Sequence, residues 1–383
     1  MGGKCASLSR DETSVVATAT TKDNSKDTRF WHEKMRFSHA SQQLFDAAVR
    51  GDQNRASQAI RGLGDPNCCS IQGYRPLQAA IACGNNGLLE VLLKASADIN
   101  GHAKGSPPPL LLAAGIGDTT VFEMLLANGA DLTIAMEPSG ETPLTRAAAR
   151  GHVGIVKVAL AQGSPGFQKL LAQRARSGDG ATALHVACAG GHHAVCDRLL
   201  GVGAEPSVPD KRGRSPLHFA VECNHFETAN LILKFGSWPS VADHNGRGPL
   251  HSAAENGFLA MADLLLRYGA DVNLTSADGH VPLHLAAKRG HEVVLRLLLS
   301  QAAEPNIEDN NGEFPFNFAF EEAHMKCCRV LLDAGAEVRA VATDTGWAPP
   351  YTEFDTHEHN AIRMGNRGRE RGHEDSSRDL VGC

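Results

Sequence analysis

One interval constrains this chain more than anything else in it. Leu44, Leu77, Leu110, Leu144, Leu184, Leu217, Leu250, Leu283 and Phe316 follow one another at spacings of 33, 33, 34, 40, 33, 33, 33 and 33 residues. Three positions after each stands an alanine: Ala47, Ala80, Ala113, Ala147, Ala187, Ala220, Ala253, Ala286 and Ala319. Fifteen and sixteen positions after each comes a mostly aliphatic pair, such as Leu92–Leu93, Leu125–Leu126, Leu265–Leu266 and Leu331–Leu332. A fixed period of this length is the mark of a solenoid, in which a unit too small to bury its own apolar face does so against its neighbours. The most regular copy, Asp243 to Asn273, reads as two short amphipathic helices with a glycine-closed tail.

Local chemistry repeats with the same period. Thr142 and Ser215 are N-cap residue types, and Pro143 and Pro216 follow at the first helical position, where a missing N–H costs nothing. The recurring alanine lets neighbouring helices approach closely. Gly151, Gly191, Gly257 and Gly290 suit a left-handed residue ending the first helix, and Gly163, Gly203, Gly236, Gly269 and Gly335 end the second. Asn245-Gly246, Asp278-Gly279 and Asn311-Gly312 are hairpin-turn dipeptides, placing a finger between units.

Thr142-Pro143-Leu144, Ser215-Pro216-Leu217-His218 and Val281-Pro282-Leu283-His284 resemble the TPLH helix start of the ankyrin repeat family. Gly151-His152, Gly191-His192 and Gly290-His291 resemble its helix break. Gly129-Ala130-Asp131 and Gly269-Ala270-Asp271-Val272-Asn273 resemble its closing segment. The resemblance covers about Ser38 to Ala340. It implies an all-α solenoid of about nine helix-turn-helix repeats with β-hairpin fingers, flanked by residues 1–37 and 341–383.

Copies depart from the pattern in places. The first lacks the proline and closes on Gly62-Leu63-Gly64; the third begins with Pro107-Pro108-Pro109. The ninth carries Phe316, Phe318 and Phe320, with Ala323 in place of the usual glycine, as suits a terminal unit covered by Trp347. The longer interval between the fourth and fifth copies holds Phe167, Leu170 and Leu171, expected as an extra helical turn or a tolerated loop.

The flanks read differently. Residues 1–37 open on a Ser/Thr-rich stretch expected to be disordered, then RFWHEKMRF from Arg29 to Phe37, expected as a short cap helix. Gly2 followed by Gly3-Lys4-Cys5 resembles an N-myristoylation site, departing from it in Ala6 where the motif prefers Ser or Thr. One acyl chain holds a bilayer only marginally, so Cys5 would supply the second anchor by palmitoylation. After Trp347-Ala348-Pro349-Pro350-Tyr351 the tail from His357 carries five Arg against five Asp or Glu, expected as a flexible charged segment.

Few other functions fit. The net charge of −6 argues against nucleic acid, which needs concentrated positive charge. No apolar run is long enough to span a membrane, and Leu8 to Thr21 is too polar for a secretory signal. Ten cysteines without a CxxC pair read as reduced thiols in a cytoplasmic protein. His185, His218, His251 and His284 recur every 33 residues. In a stack they lie roughly 8–10 Å apart, too far to share a zinc ion, which needs each nitrogen at about 2 Å. They are expected to hydrogen-bond adjacent backbone, as are His152, His192, His225, His291 and His324. No GxSxG, GxxxxGK[ST] or HExxH motif occurs, so neither an enzyme nor a cofactor or small-molecule substrate is expected.

The family grips its partners with finger tips and the exposed end of the first helix. The resemblance therefore points to Lys211, Arg212, Arg214, His244, Asn245 and Arg247 on the fingers, and Glu222, Glu255, Asn256, Lys288 and Arg289 on the helices. Trp238 is the exposed-aromatic candidate. A basic finger band beside an acidic groove predicts a protein partner of mixed charge. Two readings follow: an adaptor tethered by Gly2 and Cys5 at the cytoplasmic face of a membrane, or a soluble cytosolic or nuclear regulator that masks its partner. An enzyme gated by the repeats is disfavoured, because the flanks are too short for a catalytic domain.

Overall fold

The computed structural model describes residues 39–70, 73–103, 105–161, 171 and 180–337. Gly2 and Cys5, the segment 29–37, Phe167 and Leu170 of the insertion, Gly163, Trp347 and the tail lie outside the described residues. Within the insertion, Leu171 is helical and buried.

Eighteen helices among the described residues form nine pairs. The inner helices are α1 (His39–Arg50), α3 (Pro76–Ala82), α5 (Pro109–Ile116), α7 (Pro143–Ala149), α9 (Ala183–Ala189), α11 (Pro216–Glu222), α13 (Pro249–Asn256), α15 (Pro282–Lys288) and α17 (Pro315–Glu321). Their outer partners are α2 (Gln53–Arg61), α4 (Asn86–Lys94), α6 (Thr119–Ala127), α8 (Val153–Ala161), α10 (His193–Gly201), α12 (Phe226–Lys234), α14 (Leu259–Arg267), α16 (Glu292–Ser300) and α18 (Met325–Asp333). Each inner helix packs on its inner neighbours, across the insertion included, and so do the outer helices from α6 to α18, and α2 with α4.

Apart from the twelve-residue α1, the helices have seven to nine residues, too short to stand alone in water, so the stack holds them. The periodic leucines and alanines all fall in one continuous core; Ala80, Ala113, Ala147, Ala187, Ala220, Ala253, Ala286 and Ala319 are fully inaccessible. Cys188, Cys196, Cys327 and Cys328 are buried there as free thiols. Proline opens α3, α5, α7, α11, α13, α15 and α17 after an extended residue. Thr142 accepts from the N–H of Thr145 at 3.2 Å, whereas the Ser215 hydroxyl lies 2.9 Å from Nδ1 of His218.

Two histidine rows lock the repeats together, and they reach in opposite directions. In the first, Nδ1 of His185, His218, His251 and His284 accepts from the backbone N–H of Thr182, Ser215, Gly248 and Val281 at 3.0–3.1 Å. Each Nε2–H then donates forward to a carbonyl of the next finger, at Arg214, Arg247, His280 and Glu313, over 3.0–3.2 Å. In the second row, Nε2 of His152, His192, His225 and His291 reaches back to the carbonyls of Gly115, Ala149, Ala189 and Glu255 at 3.0–3.2 Å. These rings lie where a side chain on the preceding glycine would stand: a Cβ on Gly191 or Gly257 would come within 2.5 Å of His225 or His291. Both glycines also hold left-handed φ, of +67° and +72°. Earlier repeats put Asp52, Asn85 and Asp118 at the matching N-cap, each accepting from its own helix.

The fingers depart from the hairpin expectation. No strand ladder forms among the described residues, only one isolated bridge between Met136 and Glu141. An aspartate closes three of the four later turns instead, and the Ser276 hydroxyl, accepting from the His280 N–H at 3.1 Å, closes the other. Oδ1 of Asp243 accepts from the N–H groups of Asn245 and Arg247 at 2.8 and 2.9 Å, and Asp210 and Asp309 repeat the arrangement. One backbone bond joins each finger to the next: His244 N–H to Arg212, Ala277 N–H to Asn245, Asn310 N–H to Asp278. Five non-glycine residues among the described ones, Leu63, Ser96, Asn224, Ala302 and Ala323, adopt left-handed φ of 56–65° where a helix ends.

Candidate functional site

The sequence-predicted residues occupy two separate surfaces. On the finger side, Lys211, Arg212, His244 and Asn245 are exposed at the tips, while Glu222, Asn256 and Arg289 are exposed at the C-terminal ends of inner helices. Lys288 is half-buried, its ammonium 5.3 Å from the centroid of Phe318.

Arg214, Arg247 and Glu255 correct the picture of two unlike bands, because the bands pair with each other. Arg214 holds Oδ2 of Asp210 at 3.0 Å, lies 4.3 Å over the Phe219 ring, and approaches Glu222 at 3.7 Å. The Asp210 side chain is wholly inaccessible. Burial opposes its ionisation, yet the N–H groups of Arg214 and Arg212 and the Arg214 guanidinium outweigh that and hold the carboxyl below its usual range. One repeat on, Glu255 bridges Arg247 and Arg289, the latter at 2.9 Å. Burial again opposes and the two arginines again prevail, so the Glu255 carboxyl is also lowered. Glu222 moves the other way, because desolvation raises it more than Arg214 lowers it. His280 sits 3.4 Å from Asp309 and edge-on to Phe318, with 5.3 Å between ring centroids. The inner face is thus a band of charge internally neutralised, with Phe219 and Phe318 covered by cations.

Trp238 lies elsewhere. It follows α12 in the segment that leads from an outer helix to the next finger, and it is 73% exposed. Its N–H reaches the Ser207 hydroxyl of the preceding repeat at 3.4 Å. The same bond recurs along the stack, from Asp98 to Asn67, Asp131 to Asn100, Asp271 to Ser240, Glu304 to Asn273 and Glu337 to Asn306, at 2.7–3.1 Å. These positions therefore form one physical ridge. With Glu205 it carries six exposed carboxylates and one tryptophan. Phe235 and Tyr268, exposed at the C-caps of α12 and α14, each stand three residues before a ridge position, Trp238 and Asp271. Sequence reading missed this grouping, although the acidic residues share the 33-residue period.

Among the described residues no group of three His, Cys, Asp or Glu side chains is placed to hold a metal ion. Nor is any helix there long and apolar enough to cross a membrane.

Comparison with known proteins adds an independent result. The family model for ankyrin repeats in three copies matches residues 110–210, 159–243, 184–276 and 250–342. Over 134 residues, 35% of this chain, the sequence is 32% identical to the ankyrin repeat and KH domain-containing protein mask-1 of Caenorhabditis elegans, covering 5% of that protein. Over 103 residues, 27% of this chain, it is 28% identical to the RelA-associated inhibitor of Mus musculus, covering 12% of it. Over 148 residues, 37% of this chain, it is 34% identical to zinc finger CCCH domain-containing protein 50 of Oryza sativa subsp. japonica, covering 20% of it. The matches thus span from 5% to 20% of these relatives' own lengths.

Proposed function

Because this chain belongs to the ankyrin repeat family, we propose that it is a non-enzymatic module that captures a protein partner on its finger tips and inner-helix ends. The observation that carries this reading is the division of labour within each repeat. The periodic residues are consumed by the stack: Leu250, His251 and Ala253 are buried. The exposed positions His244, Asn245 and Asn256 of the same repeat vary from copy to copy and have no part in the core. A surface that differs at every step of a rigid pitch suits recognition of one macromolecular shape.

Charge reversal at Arg214 or Arg247 would confound binding with stability, since both hold carboxylates of their own fold. A cleaner test replaces His244, Asn245 and Asn256, all of them exposed, by glutamate. Proximity labelling in the native cell should lose at least tenfold of the wild-type labelled proteins, with an unchanged circular dichroism spectrum. An unchanged labelled set would move the interface off this face.

The finer reading is an adaptor tethered to a membrane through Gly2 and Cys5, supported by the Gly2-Gly3-Lys4-Cys5 start. Metabolic labelling with a clickable myristate should mark the wild type and leave Gly2→Ala unmarked. Wild type without label leaves the second reading, a soluble regulator that masks its partner. Similarity to a protein named as an inhibitor associated with RelA favours that alternative.

A further inference from the structure

The ridge that carries Trp238 is apart from the surface assigned to partner capture, and its chemistry is specific. Trp238, Phe235 and Tyr268 are 73%, 43% and 39% exposed, in a chain with only 5% aromatic residues. Phe235 and Tyr268 occupy the same slot of successive repeats, a step of roughly 10 Å. The Tyr268 hydroxyl donates at 3.2 Å to Asn230 on α12, so its ring leans back towards the repeat that holds the other two. Glu205 precedes Trp238 on the ridge, and Asp271, Glu304 and Glu337 follow it. None of these four has an ion-pair partner among the described residues. Of the cations that adjoin Phe235 and Tyr268 in the chain, Lys234 is exposed and Arg267 is bound to Asp263 at 2.6 Å. Aromatic faces rimmed by unpaired carboxylates select guanidinium groups, which stack on the rings and pair with the rim.

A matching segment exists in this chain. Residues 363–372, Arg-Met-Gly-Asn-Arg-Gly-Arg-Glu-Arg-Gly, place Arg363, Arg367, Arg369 and Arg371 against the single acid Glu370. Glu337, at the C-terminal end of the described residues, is itself a member of the ridge. Trp238 lies three repeats back, about 30 Å away. The 26 residues from Glu337 to Arg363 can span more than about 80 Å when extended. Length is therefore no obstacle, and the glycines keep the arginines free of bulky neighbours.

We infer that the segment 363–372 folds back on the ridge, with its arginines over Trp238, Phe235 and Tyr268 and paired with Glu205, Asp271 and Glu304. The contact masks the most exposed large aromatic among the described residues.

Fluorescence of the full chain tests this. Trp31→Phe and Trp347→Phe leave Trp238 as the sole tryptophan. In that background, acrylamide should quench Trp238 at least twofold more strongly once Arg363, Arg367, Arg369 and Arg371 are all replaced by glycine. The triple change Glu205→Gln, Asp271→Asn and Glu304→Gln should do the same with the tail intact. A synthetic peptide of residues 360–375 should restore shielding to the arginine-depleted chain. Equal quenching with and without the arginines overturns the proposal and leaves the ridge open to a partner in trans. Shielding that strengthens as protein concentration rises also overturns it, because it assigns the ridge to a second copy.

Discussion

Replacing His251 by leucine is expected to lower the stability of the array by about 3–5 kcal/mol at neutral pH, whereas glutamine there should cost under about 1 kcal/mol. The ring is fully inaccessible and joins two backbone groups that have no water to turn to, the N–H of Gly248 and the carbonyl of His280. Leucine fills the space and orphans both, at about 1–3 kcal/mol each. Glutamine keeps them, and the second repeat shows how. Gln78, equally buried, accepts from the Arg75 N–H through Oε1 at 2.6 Å and donates forward to the Pro107 carbonyl at 2.5 Å. Urea titrations followed by circular dichroism separate the two substitutions. An equal loss for both would mean that the ring matters as volume and not as a bridge.

The same bridge makes the fold sensitive to acid. Nδ1 faces an N–H donor and Nε2 a carbonyl, so the native ring is neutral and protonated only at Nε2. An imidazolium would turn a second proton against a donor. Burial, the largest cause, lowers His218, and it lowers His251 and His284 to about 4, from an ordinary 6.5. The unfolded chain therefore binds more protons than the folded chain between pH 6.5 and about 4, and stability falls as pH falls through that window. Each of the latter two contributes about 3 kcal/mol to the fall by pH 4. Asp210 and Glu255, held below their ordinary ranges, extend the loss to lower pH. Glu222 and Glu313, raised by burial, act in the opposite sense just above their ordinary range. The double variant His251→Gln, His284→Gln should flatten the profile between pH 6.5 and 4.5 while leaving neutral stability nearly unchanged. A profile as steep as wild type would place the acid sensitivity in other groups.

Legibility in the sequence followed periodicity. Leu250, Ala253 and the bridging task of His251 could be read from a repeat of 33, because a stack fixes which positions face the neighbour and keeps the rings too far apart for a metal. What periodicity leaves open is direction and pairing. His218 reaches forward to Arg247 and His225 back to Ala189, yet both are simply histidines at a recurring slot. Arg214 reads as a finger cation until the turn brings Asp210 beneath it. Asn245-Gly246 has the composition of a hairpin turn, but Asp243 closes the backbone with its own carboxylate and no ladder follows. Trp238 drew notice as an aromatic, though its grouping with Phe235 and Tyr268 came from the stacking of two repeats. Interactions across the stack were the unread part, since they depend on the offset between repeats.

Enlarging an interior alanine should show how far the array depends on that stacking. Ala253 on α13 is fully inaccessible, and α13 packs between α11 and α15. Leucine there adds three carbons to a site with no free volume, and such overpacking costs about 1–3 kcal/mol at one contact, occasionally more. Here the strain acts on two interfaces at once. In a solenoid, stability is close to a sum of unit terms and nearest-neighbour couplings, so weakening two adjacent couplings divides the cooperative unit. Ala253→Leu is thus expected to cost about 3 kcal/mol or more and to split urea unfolding into two transitions, one for each side of the sixth-to-eighth repeats. Among the described inner helices α17 packs on α15, and the residue in its Ala253 slot, Ala319, is likewise a fully inaccessible alanine. Ala277→Leu, at an exposed finger tip, controls for composition and should leave a single transition at the wild-type midpoint. If Ala253→Leu also unfolds in one transition with a loss under about 1 kcal/mol, close approach of the inner helices is not what couples the repeats.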